Sequence, residues 1–351
     1  MSLITPVSSS APVPLSKRER AALWSARVGL TGLLEAMPQR PLLMVLNYHR
    51  IGDPDKTPYD PGTFSATTQL FDQQVGWLKK RFPIVTLDEA IAVAEGKQSV
   101  RRTHVLITFD DGYLDNYQDA FPVLRARKVP GTFFLPTYFI GTGHLPWWDV
   151  IAYVVKRSRK RRIQITYPTT ATFDIDQKGL AFAIAHILLM AVQPESKNSE
   201  TFLSKLEEAC GSSRPQGEPE RCFLSWDEAR EMLRGGMSFG SHTHSHEILT
   251  TLPAADQYQE LLRSQAVLTA ELGKAIEVLA YPVGLKHTFT RETIDAARSA
   301  GYRAAFSFYG GLNRPGHTDV FDIQRCSIGP QSMNRLRLQA ALASISGTGW
   351  F

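Results

Sequence analysis

The stretch HVLITFDDG, residues 104–112, decides the fold predicted for this chain. Its first six residues form a mostly apolar run that is typical of a strand buried on both faces, and Asp110 and Asp111 follow directly. Gly112 permits a sharp turn that could bring both carboxylates to one site, although the pair could equally cap the next helix. Buried carboxylates are costly unless something pairs or uses them, so this strand end is a candidate functional site.

Other short apolar runs repeat this pattern and alternate with amphipathic stretches that predict helices. The runs are LLMVLN (42–47), GTFFLP (131–136), GMSFGS (236–241), IEVLAY (276–281), YRAAF (302–306) and residues 320–325. The helices are expected over 67–81, 114–128, 254–272 and 290–300, and a further one opens with the capping box that begins at Ser225. The alternation predicts an α/β fold, a distorted and incomplete (β/α) barrel with helices outside a parallel sheet.

The length of 351 residues fits one such barrel with extensions. We expect the barrel domain over 41–335, with an insertion at 150–222 where the alternation of strands and helices breaks. Residues 1–40 are expected to hold a tail and an amphipathic helix over 21–37, and residues 336–351 a C-terminal tail.

The balance of 39 Lys and Arg against 34 Asp and Glu gives a formal charge of only +5. With no zinc-finger, RRM or basic-zipper pattern, it does not indicate a nucleic-acid-binding protein. The basic run at 156–162 predicts an ordinary solvated surface, or a contact with an anionic membrane or an anionic substrate. The segment 17–37 predicts a helix packed on the domain, or a helix at a membrane surface.

Cysteine usage and the absence of an export pattern bear on the compartment. Cys210, Cys222 and Cys326 form no CxxC pair, which indicates a reducing compartment, with a Cys210–Cys222 disulfide as the alternative. We find no clear signal peptide and no apolar stretch long enough to span a bilayer. The expected location is therefore cytoplasmic, with membrane association as an option.

Three histidines follow the predicted strand 236–241 in the segment HTHSH, residues 242–246. On one helical turn His242 and His246 would share a face, whereas an extended backbone would also align His244, so the spacing alone leaves His244 open. A polar loop is the alternative interpretation. Two histidines and one aspartate with open positions are typical of a catalytic rather than a structural metal site.

Two further segments could contribute to a cleft at the strand ends. Backbone N–H groups of AYPVG (280–284) could stabilise an oxyanion, although an ordinary turn is the simpler interpretation. Trp147 and Trp148 could stack on a sugar ring or anchor the insertion, and Tyr113 and Tyr281 are further candidates for substrate contact.

The segments TFDDG (108–112), HTHSH and AYPVG, in this order and at strand ends, resemble the motifs of NodB-type polysaccharide deacetylases, carbohydrate esterase family 4. The sequence NYHR (47–50) resembles the branch that deacetylates exopolysaccharides and poly-N-acetylglucosamine. The resemblance covers about residues 42–330 without much of the insertion. It implies a hydrolase acting on carbon–nitrogen bonds other than peptide bonds, which removes N-acetyl groups from an amino-sugar glycan with zinc, or with cobalt, nickel or manganese.

The resemblance also implies roles for single residues. Asp110 would be the base, and the metal ligands would be Asp111, His242 and His246, with His244 at a variable position. The backbone N–H of Val283 would help to stabilise the oxyanion.

The chain departs from the family pattern at two places. Ala280 stands where many members have the arginine that steadies the base, and we predict that Arg325 replaces it through a two-bonded fork, with a surface pair to Asp319 or Asp322 as the alternative. The late histidine that supplies the acid is not recognisable, so the candidates for the acid are, in order, His49, His287 and His317.

These departures keep two other functions open. One is an amidase that acts on a small amide or a cyclic ureide with the same barrel. The other is a sugar-binding protein that has lost catalysis.

Overall fold

Seven parallel strands close into a ring in the computed structural model, which describes residues 16–193, 196, 199–215 and 221–348. The order around the ring is β1-β11-β10-β9-β8-β5-β4, and β4 pairs with β1 again. The remaining strands form two separate two-stranded sheets. In chain order, the strands are β1 Leu43–Tyr48, β2 Arg50–Ile51, β3 Phe64–Ala66, β4 His104–Phe109, β5 Thr132–Leu135, β6 Arg162–Ile165, β7 Ala171–Asp174, β8 Ser238–Ser241, β9 Val278–Ala280, β10 Ala304–Ser307 and β11 Ile323–Ser327.

Helices cover the outside of the ring and build the segment between β5 and β8. They are α1 Lys17–Arg27, α2 Leu30–Ala36, α3 Thr68–Arg81, α4 Leu87–Ala94, α5 Phe121–Arg127, α6 Trp147–Lys156, α7 Ile175–Lys178, α8 Leu180–Ala191, α9 Ser199–Cys210, α10 Trp226–Arg234, α11 Ala254–Leu272, α12 Arg291–Ser299 and α13 Met333–Ser346.

Most of the predicted elements are confirmed to within two residues. The helix expected over 114–128 begins instead as a π-helical segment, Asn116–Ala120, before α5. The last barrel strand begins at Ile323, so Arg325 is the middle residue of β11 and not its last residue. Helices α4 and α13 were not predicted; most of α13 lies in the region expected to be a C-terminal tail.

The alternation of side chains along the strands separates the interior of the barrel from its helix-covered outside. Val45, Leu106 and Phe306 share an apolar cluster with other residues of the interior. Their strand neighbours, such as Leu46 and Ile107, pack in a different cluster beneath the helices. The same alternation aims the next polar residues of β1, β4 and β11 into the barrel.

The register in which neighbouring strands pair places their carboxyl ends together at one rim of the barrel. All six residues of β1 pair with β4, from Leu43 opposite His104 to Tyr48 opposite Phe109. His49 and Asp110, which follow these last partners, therefore leave the sheet at the same level. Since all strands of the ring are parallel, the loops after β8 and β9 meet them there.

The segment expected to be an insertion, 150–222, forms a small unit beside the barrel. It holds the antiparallel hairpin of β6 and β7 and helices α7 to α9. Its apolar side chains form a separate cluster, which includes Ile151, Ile184 and Leu206.

The helix expected over 21–37 is two helices, because Gly29 adopts φ 76° between α1 and α2. Residues 1–15, predicted to be a tail, lie outside the described residues. None of the three cysteines takes part in a disulfide, so the Cys210–Cys222 bridge is not formed. Within the described part of the chain, no helix combines the length and apolar character needed to cross a membrane.

Candidate active site

The loops after β4 and β8 bring the predicted metal ligands together. Nε2 of His246 lies 3.4 Å from Oδ1 of Asp111, and Nε2 of His242 lies 3.7 Å from the same oxygen. The two Nε2 atoms are 3.2 Å apart. All three side chains are buried, and together they could hold one metal ion.

Hydrogen bonds decide which histidines belong to this cluster. Nδ1 of His242 lies 2.7 Å from the carbonyl oxygen of Ala280, so it must carry the proton and leave a lone pair on Nε2. His244 instead contacts Oγ1 of Thr137 through Nδ1, at 2.7 Å. The alternative that the sequence left open, in which His244 also faces the cluster, is not what the structure shows.

The electrostatics of the cluster fit a divalent cation. Burial lowers the pKa of both His242 and His246, so both imidazoles are neutral and offer lone pairs. Burial, and then the charges of Asp110 and Asp149, raise the pKa of Asp111 well above its usual range. A cation between these groups would offset the burial of the carboxylate and separate two nitrogens that otherwise face each other.

Backbone strain is concentrated at the same place. Among the described residues, five that are not glycine have positive φ, and four of them lie in these loops: Asp111, Thr243, His246 and Val283. Such conformations cost of order 1–3 kcal/mol each and persist where the surroundings impose them, commonly at functional sites.

Asp110 points into the barrel beside the cluster and is held by two polar side chains. Nη1 of Arg325 donates to its Oδ1 at 2.7 Å, and the amide of Asn47 donates to its Oδ2 at 3.0 Å. The predicted contact with Arg325 is therefore present, but the two-bonded fork is wrong. A single nitrogen bonds Asp110, while Nε donates to the carbonyl oxygen of Ser307. Arg325 is fully buried, so the surface pair with Asp319 or Asp322 is excluded.

The charge of Arg325 sets the protonation of Asp110. Burial alone would raise the pKa of this carboxyl, but the Arg325 charge, followed by those of His242 and His49, outweighs burial and holds the pKa below its usual range. Asp110 is therefore a carboxylate at any working pH.

Comparison with known proteins agrees with this geometry. The sequence profile of the polysaccharide deacetylase family matches residues 97–305, more than half of the chain. The chain belongs to the polysaccharide deacetylase family. The expected class of enzyme, a hydrolase acting on carbon–nitrogen bonds other than peptide bonds, agrees with this membership.

The individual relatives are distant from this chain in sequence. YxkH of Bacillus subtilis, assigned as a polysaccharide deacetylase, is 22% identical over 262 residues, which are 74% of this chain and 62% of that protein. The chain thus spans less than two thirds of the length of YxkH. The poly-beta-1,6-N-acetyl-D-glucosamine N-deacetylase of Staphylococcus epidermidis is 26% identical over 238 residues, which are 62% of this chain and 76% of that protein.

Solved structures support the fold. IcaB from Ammonifex degensii aligns with a TM-score of 0.55 at 22% identity and covers 88% of this chain and 99% of that chain. The deacetylase PplD of Streptococcus pyogenes also gives 0.55, at 18% identity, over 86% of this chain and 98% of that chain. The predicted distorted (β/α) barrel is confirmed by these similarities and by the seven-stranded ring.

Of the three candidates for the acid, only His49 lies at the cleft. It is half-buried, and burial lowers its pKa to about 4, against the opposing effect of Asp110. His287 is exposed and contacts Thr250 only through its carbonyl oxygen. His317 is exposed on a loop whose Gly316 donates to Ala94, on the side of the barrel where the strands begin. That position separates His317 from the cleft and contradicts its role as the acid.

The loop after β9 makes a tight turn at Val283. Its φ is 62°, and the N–H of Gly284 donates to the carbonyl oxygen of Pro282 at 2.6 Å. Among the described residues, the N–H of Val283 donates to no backbone acceptor. This N–H is therefore available to an outside acceptor.

Three of the four residues predicted to contact substrate, Tyr113, Trp148 and Tyr281, have buried side chains. Tyr113 donates its hydroxyl to Asp149 at 2.8 Å, and the indole of Trp148 donates to that hydroxyl at 2.7 Å. Tyr281 continues the outward-facing side of β9 and donates to the carbonyl oxygen of Phe321. Trp147, the fourth, is half-buried and packs against the apolar cluster of the insertion.

Sequence reasoning missed two buried polar residues behind the site. Asn47 links Asp110, Arg325 and Thr108, at distances of 2.7 to 3.0 Å. Asp149 accepts from Tyr113, and its pKa is raised to about 6 by burial. The sequence offered a signal for each. Asn47 is a polar residue in the apolar run 42–47, and Asp149 is an acidic residue directly after Trp147 and Trp148.

A first prediction concerns metal binding. Replacing His242 or His246 by Ala should remove most of the bound metal and the activity together, because each supplies one of three ligands. His244→Ala is the matched control and should retain both. Metal content by mass spectrometry and acetate release, measured on the same samples, provide the test; equal metal loss in all three variants would contradict the assignment.

A second prediction concerns Arg325. Arg325→Lys keeps the charge but cannot hold Ser307, Asn47 and Asp110 at once, so we expect a fall in kcat of about 10- to 100-fold with metal retained. Arg325→Gln should also shift the acidic limb of the pH–rate profile upward, because the pKa of Asp110 rises when the cation is lost.

Arg303→Lys, which alters an Arg paired at the surface with Asp88 and Glu277, is the control and should behave like the parent. Unchanged kcat in Arg325→Lys would show that Asp110 does not need this partner.

Proposed function

We propose that this protein hydrolyses N-acetyl groups on an amino-sugar polysaccharide or glycan precursor, with a bound divalent cation. The observation that carries the proposal is a buried carboxylate, Asp110, fixed by Arg325 beside the cluster of Asp111, His242 and His246. Family membership and the staphylococcal relative, a poly-beta-1,6-N-acetyl-D-glucosamine N-deacetylase, support this substrate class.

We assign Asp111, His242 and His246 as the ligands of the cation. Neutral imidazoles and one carboxylate suit zinc, and also cobalt, nickel or manganese. When bound, the cation would polarise the acetyl carbonyl and make a water molecule more acidic.

Asp110 is assigned as the base that takes a proton from the attacking water. A carboxylate whose pKa lies below its usual range is a weak base, so it can act only on a water that is already made acidic. What the protein supplies at Asp110 is position: Arg325 and Asn47 each hold one carboxylate oxygen. Such orientation lowers the entropy that must be lost on reaching the transition state.

Two further groups of the cleft complete the proposed reaction. The N–H of Val283 would donate to the oxygen of the acetyl group as negative charge develops there. His49, neutral at pH 7 with its pKa near 4, would accept the proton that Asp110 has taken from the water and pass it to the leaving amine.

The two other functions lose support. The sugar-binding alternative was motivated in part by a missing arginine, and Arg325 now lies 2.7 Å from Asp110. A small-molecule amidase is disfavoured by an open groove beside the loop that carries the histidines, lined by Ser245 and Glu247 on either side of His246.

This groove, of about 410 Å³, runs between the barrel and the insertion. Tyr138 and His144 stack at 4.4 Å on its wall, and Tyr138 is 40% exposed. The N–H of Tyr138 donates to the carbonyl oxygen of His244, which ties the groove to the loop of metal ligands. We assign Tyr138 as the aromatic surface for a sugar ring, in place of Trp148.

A third prediction tests the reaction. Acetate should be released from N-acetylglucosamine oligomers, whereas small amides and cyclic ureides should not be hydrolysed. Asp110→Asn should keep the metal and lose about 10²–10⁴ in rate, the range for a general base. Turnover of small amides alone would favour the amidase, and binding of oligomers without turnover would favour the sugar-binding protein.

A fourth prediction tests the groove. Tyr138→Ala should raise KM for a long oligomer about 10-fold, equivalent to a loss of about 1.4 kcal/mol of binding, and should change KM little for a monomer. Tyr138→Phe keeps the ring and is the matched control. Equal effects on the long and short substrates would place the sugar chain elsewhere.

A further inference from the structure

The two N-terminal helices expose an unusual amount of apolar surface. Of the seven large apolar side chains exposed in the described residues, five lie on α1, α2 and their flanks, with Trp24 61% and Leu33 66% exposed. The pair of helices α1 and α2 is called here the hairpin. The five side chains, called its outer face, are Trp24, Val28, Leu30, Leu33 and Met37. An apolar patch of this kind on a protein surface commonly marks a binding surface.

The acidic residues of the hairpin are turned away from this face. Glu19 accepts from the hydroxyl of Ser332 at 2.6 Å, at the start of α13. Glu35 forms a two-bonded pair with Arg337 of the same helix, at 2.6 and 2.7 Å. Both carboxylates thus fasten the hairpin to the barrel.

The basic residues of the hairpin remain outside. The side chains of Lys17, Arg18, Arg20 and Arg27 are exposed, and none forms an ion pair within the described part of the chain. Residues 1–15 contain no Asp or Glu that could neutralise them. The hairpin therefore presents apolar side chains together with four positive charges.

We propose that the outer face of the hairpin docks on an anionic lipid bilayer, with both helices lying in the plane of the interface. Apolar side chains beside unpaired cations are the pattern of interfacial helices, and Trp favours the headgroup level. A second copy of this chain fits the outer face less well, because its four positive charges would then face the same four positive charges of the first copy. The proposal does not depend on the reaction assigned above.

The basic run at 156–162, the other membrane candidate in the sequence, lacks these features. Lys156 donates to the carbonyl oxygen of Thr57, and Arg161 pairs with Asp176. Arg157 lies over the ring of Tyr153. Several of its cations are thus engaged within the protein, and among the described residues no exposed large apolar side chain lies within the run.

The fifth prediction uses the full chain and vesicles of phosphatidylcholine, alone or with about 30% phosphatidylserine. Sedimentation should show at least about tenfold stronger binding to the anionic vesicles, since each cation near such a surface contributes roughly fivefold. Raising the salt from about 0.1 M to about 0.5 M should weaken this binding by screening.

Two pairs of substitutions separate the apolar and cationic contributions. The double variant Trp24→Ser and Leu33→Ser should lose most binding, whereas Leu189→Ser, which alters an equally exposed apolar residue on α8, should bind like the parent. Arg18→Gln with Arg20→Gln should weaken binding to anionic vesicles about 25-fold, at about fivefold for each charge. Arg159→Gln with Arg162→Gln, in the basic run, should have no effect.

All variants should release acetate from a soluble oligomer at the rate of the parent, since none lies in the cleft. Equal binding to both kinds of vesicle, or loss of binding only in the variant of the basic run, would overturn the proposal. So would sedimentation of the free protein as a dimer that Trp24→Ser and Leu33→Ser dissociate, because the outer face would then be a contact between copies.

Discussion

The ion pair of Asp110 and Arg325 is the interaction on which the rest of the site depends. Arg325 on β11 bonds Asp110 after β4, Asn47 on β1 and the carbonyl oxygen of Ser307 on β10, so one side chain joins four strands where the ring closes. Removing one partner of such a buried pair typically costs about 3–5 kcal/mol, because the other charge stays buried without compensation. The pair therefore stabilises the barrel and positions a carboxylate at the same time.

This pair also explains why two neighbouring carboxyls behave differently. Arg325 compensates the charge of Asp110, whose pKa falls, and leaves Asp111 buried beside a fixed negative charge, so the pKa of Asp111 rises. A cation held by Asp111, His242 and His246 restores the balance of charge in the cleft. One aspartate is thereby suited to take a proton and the other to hold a metal, although they are adjacent in sequence.

Strand periodicity made much of this predictable from sequence. Apolar runs that alternate with helices predicted the barrel. The carboxylates after one strand and the imidazoles after another predicted the metal cluster, because parallel strands end at the same rim of a barrel. The contacts of Tyr113 with Trp148 and Asp149 could not be predicted, because they join side chains that lie 35 and 36 positions apart in the sequence. Tyr281 could have been placed correctly: Val278 and Ala280 face the interior, so the alternation turns Tyr281 outward.

The insertion and the hairpin extend the barrel in different ways. Helix α6 leads into the insertion, and Trp148 on its first turn packs against the ring of His246, with 4.4 Å between the ring centres, so the segment that carries the insertion contacts the metal cluster directly. The hairpin contacts the barrel through α13 and touches none of the cleft residues described above. Substitutions in the insertion should therefore alter the positioning of His246 as well as glycan contacts, whereas the hairpin is free to bind a second partner without changing the chemistry.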